Sequence, residues 1–239
     1  IKIFKNMEAI IAYLALFFGS LVSGISVFTF NKSSKKTLKL ITVFGGAFLF
    51  AVCFVDLIPS MFESHSHSGC EHSEHSIIPA GAFILVGFLI QLLLEQLSHG
   101  AEHGHIHNNN EKKSLVSSIM LLVGVSIHAF LEGFPIVNNG EPNVSMITGI
   151  IIHNIPLSII LVGAFLQSGL TKVKSLLLLS VFAVMGIIGS LLNQNLEILH
   201  PYQNIILGIV VGILLHVSIT TLFDSEESHK YNLTRFLIV

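Results

Sequence analysis

Seven long apolar runs constrain the fold of this chain more than any other feature. Each is long enough to cross a lipid bilayer, which takes about 20 helical residues. Because backbone groups cannot stay unpaired in lipid, such runs predict membrane-spanning helices. They cover residues 7–30, 39–62, 77–98, 116–137, 143–167, 175–192 and 202–223. An eighth begins at Leu233 and is cut short by the end of the sequence at Val239. We therefore expect an all-α fold, a polytopic membrane helix bundle of eight spans with the eighth truncated, in a single transmembrane domain over 1–239.

The charge content agrees with a bundle embedded in a lipid bilayer. Only 11% of the residues are charged, whereas a soluble domain carries about 25%. No basic patch with interleaved aromatic residues occurs, so the sequence argues against nucleic acid as a partner. A homodimer is one possible assembly, and the sequence does not set the oligomeric state.

The positive charges predict how the spans are oriented. Ten of the twelve lysines and arginines lie in alternate connections, namely 31–39, 99–115, 168–174 and 224–235. The other connections, 63–76, 138–142 and 193–204, contain none. Positive residues collect on the cytoplasmic side of a membrane. We therefore predict that the N-terminus lies outside and that the loop 99–115 is cytoplasmic, in the cell (plasma or inner) membrane.

Two of these connections are rich in histidine. The outer loop 63–76 and the cytoplasmic loop 99–115 each contain four histidines with carboxylates nearby. Such tracts are a compositional signal of metal binding, and imidazole with carboxylate suits Zn²⁺ and neighbouring divalent ions. Either loop alone could be a solvated low-complexity segment with incidental affinity. Their presence on both faces of the membrane favours metal handling.

Three ionisable residues are predicted to meet near the middle of the membrane. His128 and Glu132 are four residues apart, so they share one face of the fourth span. Five turn-like residues separate this span from the fifth, which carries His153, so the two helices should pack antiparallel. His128 and His153 lie at similar distances from the turn, about 15–18 Å along the helices.

A bound divalent cation would explain this group. A charged side chain at the bilayer centre costs about 2.5–3.5 kcal/mol, and a cation would offset that cost for Glu132. Two imidazoles and one carboxylate supply three ligands and leave a fourth position open, as suits an ion that must be released. The alternative is a hydrogen-bonded polar cluster between helices that holds no metal.

Other polar residues within the spans suggest access routes to this site. Asp56, near the outer end of the second span, could receive ions from the outer loop, or it could be an interfacial carboxylate. Gln91 and Glu95, one turn apart in the third span, and His99 after them could line an exit, or mark the end of the helix. We interpret His216 in the seventh span as a packing residue.

At these residues the chain resembles the ZIP (Zrt/Irt-like) family of divalent metal transporters. The specific part is His-x-x-x-Glu-Gly at 128–133 and His-x-x-Pro at 153–156, and Asp-Leu-Ile-Pro at 56–59 is also similar to the family's second span. The resemblance implies eight spans with both termini outside and alternating exposure of a midplane site. It also implies import of Zn²⁺, or in some members Fe²⁺, Mn²⁺ or Cd²⁺, into the cytoplasm.

The chain departs from the family pattern in the fifth span. There the motif usually continues with Glu-Gly, whereas here Leu157 and Ser158 follow the proline. In the fourth span Ala129 replaces the usual Asn or Ser, and the sixth span has no acidic residue. A two-metal site would lose several ligands. We therefore predict a single-metal site made of His128, Glu132 and His153, with Asn154 as a peripheral contact.

Three further functions compete with transport. An intramembrane zinc hydrolase would activate a water at the metal, but no His-Glu-x-x-His motif supplies a general base, so we predict that the protein is not an enzyme. A metal sensor without turnover stays open because of the missing carboxylate. A cation-efflux carrier would need paired intramembrane carboxylates, which the sequence lacks.

Overall fold

The computed structural model of the protein describes residues 2–29, 35–66, 80–97, 114–138 and 140–223. Almost all of these residues are helical, which confirms the predicted all-α class. The α-helices are α1 (Lys2–Thr29), α2 (Lys35–Val52), α3 (Ile58–Ser66), α4 (Ala80–Leu97), α5 (Leu115–Glu132), α6 (Val144–Gln167), α7 (Lys172–Asn195) and α8 (Gln203–Phe223).

Six helical stretches of the described chain are long and apolar enough to cross a membrane. They are Met7–Thr29, Thr37–Phe62, Leu115–Ile136, Val144–Gln167, Lys172–Asn195 and Gln203–Leu222. The third predicted run forms α4, whose apolar part, Gly81–Gln96, is shorter. The eighth predicted span, from Leu233, lies outside the described residues, so the expected count of eight stays a prediction.

The second span changes its helical register before it ends. Between α2 and α3 the residues Cys53–Leu57 form a single turn of π-helix, in which the N–H of Ile58 donates to the carbonyl of Cys53. Pro59 follows, and it has no N–H to pair with the carbonyl of Val55 in an ordinary α-helix. The wider turn absorbs this mismatch and carries Asp56, which is half-buried.

The fourth and fifth spans are joined by a minimal hairpin instead of an irregular turn. Pro135 ends regular helix after Glu132, and Phe134–Ile136 form one 3₁₀ turn. Two short antiparallel strands, β1 (Val137–Asn138) and β2 (Glu141–Pro142), then reverse the chain. Gly140 between them has φ +79°, a conformation that glycine adopts without strain.

Two helix ends lie inside the predicted loop ranges. α3 continues to Ser66, four residues into the predicted outer loop 63–76, because no glycine or proline interrupts the sequence before Gly69. At the other side, α5 begins at Leu115, inside the predicted loop 99–115. Its start is fixed by Ser114, whose hydroxyl accepts from the N–H of Val116. The remainder of both histidine-rich loops lies outside the described residues.

Helix α6 lies between the two apolar cores of the bundle. The first core joins α6 to α1, α2 and α8 and includes Leu49 and Leu214. The second joins α6 to α5 and α7 and includes Val162 and Phe182. Because α6 contributes side chains to both cores, its polar residues His153, Asn154 and Ser158 are buried.

Helices α4 and α8 approach each other closely at two glycines. A Cβ added to Gly87 would lie 1.9 Å from the carbonyl oxygen of Ile209, and one added to Gly212 would lie 2.0 Å from that of Ile84. Small residues allow membrane helices to approach at this range, where van der Waals packing holds them together. This contact fixes α4 next to α8.

Candidate metal centre

Three predicted ligands come together in the interior of the bundle. Nε2 of His128 lies 3.0 Å from Oε1 of Glu132, and the ring centroids of His128 and His153 are 5.9 Å apart. One ligand atom from each of the three residues lies within 4.8 Å of the other two. The three side chains are 0%, 1% and 3% exposed, so neither water nor lipid reaches them freely.

The local sequence explains how two helices deliver these side chains to one point. His128 and Glu132 face the same way because they are one turn apart on α5. The hairpin folds α6 back along α5, and His153 follows its first residue, Val144, by nine positions. At 1.5 Å per residue, this places His153 about 14 Å from the start of α6.

Glu132 gives this site a negative charge with little compensation. It is the last residue of α5, where the helix dipole places partial negative charge. Its Oε2 accepts no hydrogen bond, and within the described ranges no lysine or arginine pairs with it. A buried carboxylate in such a place is strongly stabilised by a cation. Two imidazoles and a carboxylate are ligands that Zn²⁺ binds well.

Gln91, which the sequence predicts as an exit residue, contacts His128 directly. Its Oε1 lies 2.9 Å from Nδ1 of His128, and its side chain is buried. A place on an exit route with Glu95 and His99 does not by itself predict this contact. The sequence signal that could have revealed the contact is a lone amide in the apolar run from Ile84 to Leu94.

Glu95 has a partner that the sequence also concealed. Its Oε2 lies 3.6 Å from Nε2 of the buried His216, whose ring packs edge-on against Phe88 at 4.6 Å between centroids. His216 therefore does pack in the bundle, as interpreted, but it also faces a carboxylate. His99 lies outside the described residues.

Asp56 contacts the residue that begins α6. The amide of Asn143 donates to Oδ2 of Asp56 at 2.7 Å, and its own Oδ1 accepts from the N–H of Met146. Asn143 is thus the N-cap of α6 and ties that helix to the π-turn of the second span. Among the described residues, the cluster of potential ligands within 4.8 Å of one another does not include Asp56.

The residues after His153 show what replaces the missing carboxylate. Leu157 is buried in the second apolar core. Asn154 and Ser158 are also buried, and neither the Oδ1 of Asn154 nor the Oγ of Ser158 has a hydrogen-bond partner. Beyond the three ligands, this part of α6 therefore offers the site neutral oxygens and no second charge.

Comparison with known proteins places the chain in a family. The family model described as "ZIP Zinc transporter" matches residues 8–115 and 98–239, which together span most of the sequence. The chain belongs to the ZIP zinc transporter family. Its six apolar helices and this membership make it an integral membrane protein. ZIP proteins are transporters of metal ions and not enzymes, which agrees with the expected absence of hydrolase activity.

Several curated ZIP proteins are similar to this chain. Zinc transporter ZIP9-A of Xenopus laevis is 28% identical over 213 residues, covering 75% of this chain and 69% of the relative. Zinc transporter ZIP9 of Xenopus tropicalis is 26% identical with the same coverage. Zinc transporter ZIP1 of Takifugu rubripes is 22% identical over 258 residues, covering 90% and 85% of the two chains.

Proposed function

We propose that this ZIP protein carries a divalent cation, best supported as Zn²⁺, into the cytoplasm through a site made of His128, Glu132 and His153. The observation that carries the proposal is the convergence of three buried ligand atoms within 4.8 Å, with the carboxylate at a helix C-terminus. The named relatives are zinc transporters, which supports Zn²⁺ over Fe²⁺, Mn²⁺ or Cd²⁺.

The single carboxylate sets the charge of the loaded site. Zn²⁺ with Glu132 and two neutral imidazoles has a net charge near +1, since Leu157 supplies no second negative group. Asn154 adds at most a neutral oxygen as a peripheral contact. Such a site binds one ion with histidine-rich coordination and keeps a fourth position through which the ion can enter and leave.

The proposed route has polar groups on both sides of this site. Asp56 marks the outer approach, and Glu95 with His216 marks the cytoplasmic exit, towards His99 and the inner loop. Alternating exposure of the central site to the two sides would move the ion across, with the N-terminus outside. The buried state of all three ligands supports a form in which the ion is closed off from both sides.

One observation favours a second function. Leu157 stands where the family pattern has a carboxylate, and its side chain packs in an apolar core. The site therefore has fewer charged ligands than a two-metal site would have. A protein with this site could bind metal as a sensor and not transport it. The two functions differ in turnover and not in ligands.

Uptake of ⁶⁵Zn²⁺ into proteoliposomes tests the proposal. We expect uptake by the native protein and its loss in His128→Ala, Glu132→Ala and His153→Ala. Gln96→Ala, which changes an exposed residue of α4, is the matched control and should transport normally. Equal uptake in all five proteins would refute the proposed site. Metal binding without uptake in the native protein would favour the sensor.

A further inference from the structure

The imidazole of His128 is held between two oxygens on different helices. Its Nε2 faces Oε1 of Glu132 at 3.0 Å, one turn along the same helix. Its Nδ1 faces Oε1 of Gln91 at 2.9 Å, and Gln91 belongs to α4, which contributes none of the three proposed ligands. The ring therefore has one nitrogen directed to the metal centre and the other to a neighbouring helix.

The chemistry of the amide decides which nitrogen carries the proton. A carbonyl oxygen of glutamine only accepts hydrogen bonds, so the bond to Gln91 requires the proton on Nδ1 of His128. In the neutral ring Nε2 then has the lone pair, and a metal binds imidazole through that pair. Metal-binding histidines commonly donate their other N–H to an oxygen in this way, which fixes both the tautomer and the ring orientation.

Gln91 is itself firmly placed. It is 1% exposed, and it lies one turn after Gly87, where α4 approaches α8 most closely. An amide buried among apolar residues is unfavourable unless it is hydrogen-bonded. The bond to His128 satisfies the oxygen of this amide, so contact with a proposed ligand contributes to the burial of Gln91.

We propose that Gln91 is a positioning residue for the metal centre. It holds His128 in the Nδ1–H tautomer with Nε2 directed at the ion shared with Glu132 and His153. Because it is neutral, it leaves the net charge of the loaded site near +1, whereas a carboxylate at the same position would bring that charge to zero. This inference rests on the proposed metal site and concerns its affinity.

The test is the Kd for Zn²⁺, measured by chelator competition on purified protein. In this protein the eight histidines of the loops 63–76 and 99–115 are replaced by alanine. Gln91→Met keeps the length of the side chain and removes the acceptor oxygen. Gln91→Leu also removes this oxygen, so the test can still be made if one of the two variants fails to fold. Both should weaken binding by about 10–100-fold. Gln91→Glu restores an acceptor and should bind at least as tightly as the native residue. Gln96→Met, at an exposed position of α4, should leave the Kd unchanged.

A spectroscopic measurement separates positioning from a general loss of structure. Co²⁺ bound in place of Zn²⁺ should show visible bands that shift in Gln91→Met and return towards the native spectrum in Gln91→Glu. If Gln91→Met and Gln91→Leu bind as tightly as the native protein while His128→Ala does not, the role of Gln91 is refuted and the metal site stands. If native protein and His128→Ala bind equally, the metal site itself is refuted.

Discussion

Glu95 of α4 and His216 of α8 face each other across a close helix contact, with 3.6 Å between Oε2 and Nε2. Glu95 lies one turn after Gln91 on α4. Its side chain is 26% exposed, whereas that of His216 is 4% exposed. On the proposed exit route, this carboxylate would attract a cation that leaves the site.

Removal of this charge should slow transport without weakening the central site. We predict that Glu95→Gln lowers the initial rate of Zn²⁺ uptake by about tenfold, since a charge lining a narrow path raises local ion concentration by at least that factor. The Kd of the central site should stay within about threefold of the native value. His216→Phe keeps the ring against Phe88 and tests the partner. Native uptake rates in both variants would count against an exit at this pair.

The link between Asn143 and Asp56 should contribute to stability. Asn143→Ala removes the N-cap of α6 and the amide bonded to Asp56 at once. Loss of a cap costs about 1–2 kcal/mol, and Asn143→Ser, which can still cap, should cost less. Unfolding by SDS in mixed micelles, followed by circular dichroism, measures the difference. Equal stability of the two variants would show that the cap does not hold α6.

The close approach of α4 and α8 predicts a contrast between two glycine substitutions. Gly212→Ala would place its Cβ 2.0 Å from the carbonyl oxygen of Ile84, so a helix must move, and we expect a loss of about 1–3 kcal/mol or more. Gly163→Ala on α6 meets no atom within 4 Å and should be neutral or stabilise by up to about 1 kcal/mol. In the same unfolding assay, Gly212→Ala should be less stable than the native protein, and Gly163→Ala should be at least as stable.

Restoring a carboxylate after Pro156 should make stability depend more strongly on metal. Leu157 is one turn from His153, and Leu157→Glu would bury a charge in an apolar core, which is costly without a counter-ion. We predict a lower melting temperature than native without metal and a larger increase on addition of Zn²⁺. An equal Zn²⁺-induced increase in both proteins would mean that position 157 does not reach the site.

The sequence was sufficient to predict that His128, Glu132 and His153 lie together, because their relationship is local. The spacing of His128 and Glu132 follows from helix geometry, and His153 follows from a short antiparallel connection whose register can be counted. The seven apolar runs likewise become helices, because lipid leaves the backbone no other way to pair its polar groups. The eighth run and both histidine-rich loops stay predictions.

The groups around the site could not be predicted in the same way. Gln91 and His128 are 37 residues apart, and no local periodicity brings α4 against α5. The pair of Glu95 and His216 depends equally on tertiary packing, here on the glycines that let α4 approach α8. The π-turn at Asp56 arises from a conflict between Pro59 and regular helix, which spacing rules do not include.

The measurement that tests the central claim most directly is Zn K-edge X-ray absorption of the protein with its eight loop histidines replaced by alanine. We predict one bound Zn²⁺ with two imidazole nitrogens and an oxygen ligand from Glu132, and a nitrogen count that falls in His128→Ala and in His153→Ala. Two results would contradict a metal centre at His128, Glu132 and His153. One is the absence of tightly bound Zn²⁺, and the other is the same spectrum with and without the His128→Ala or His153→Ala substitution.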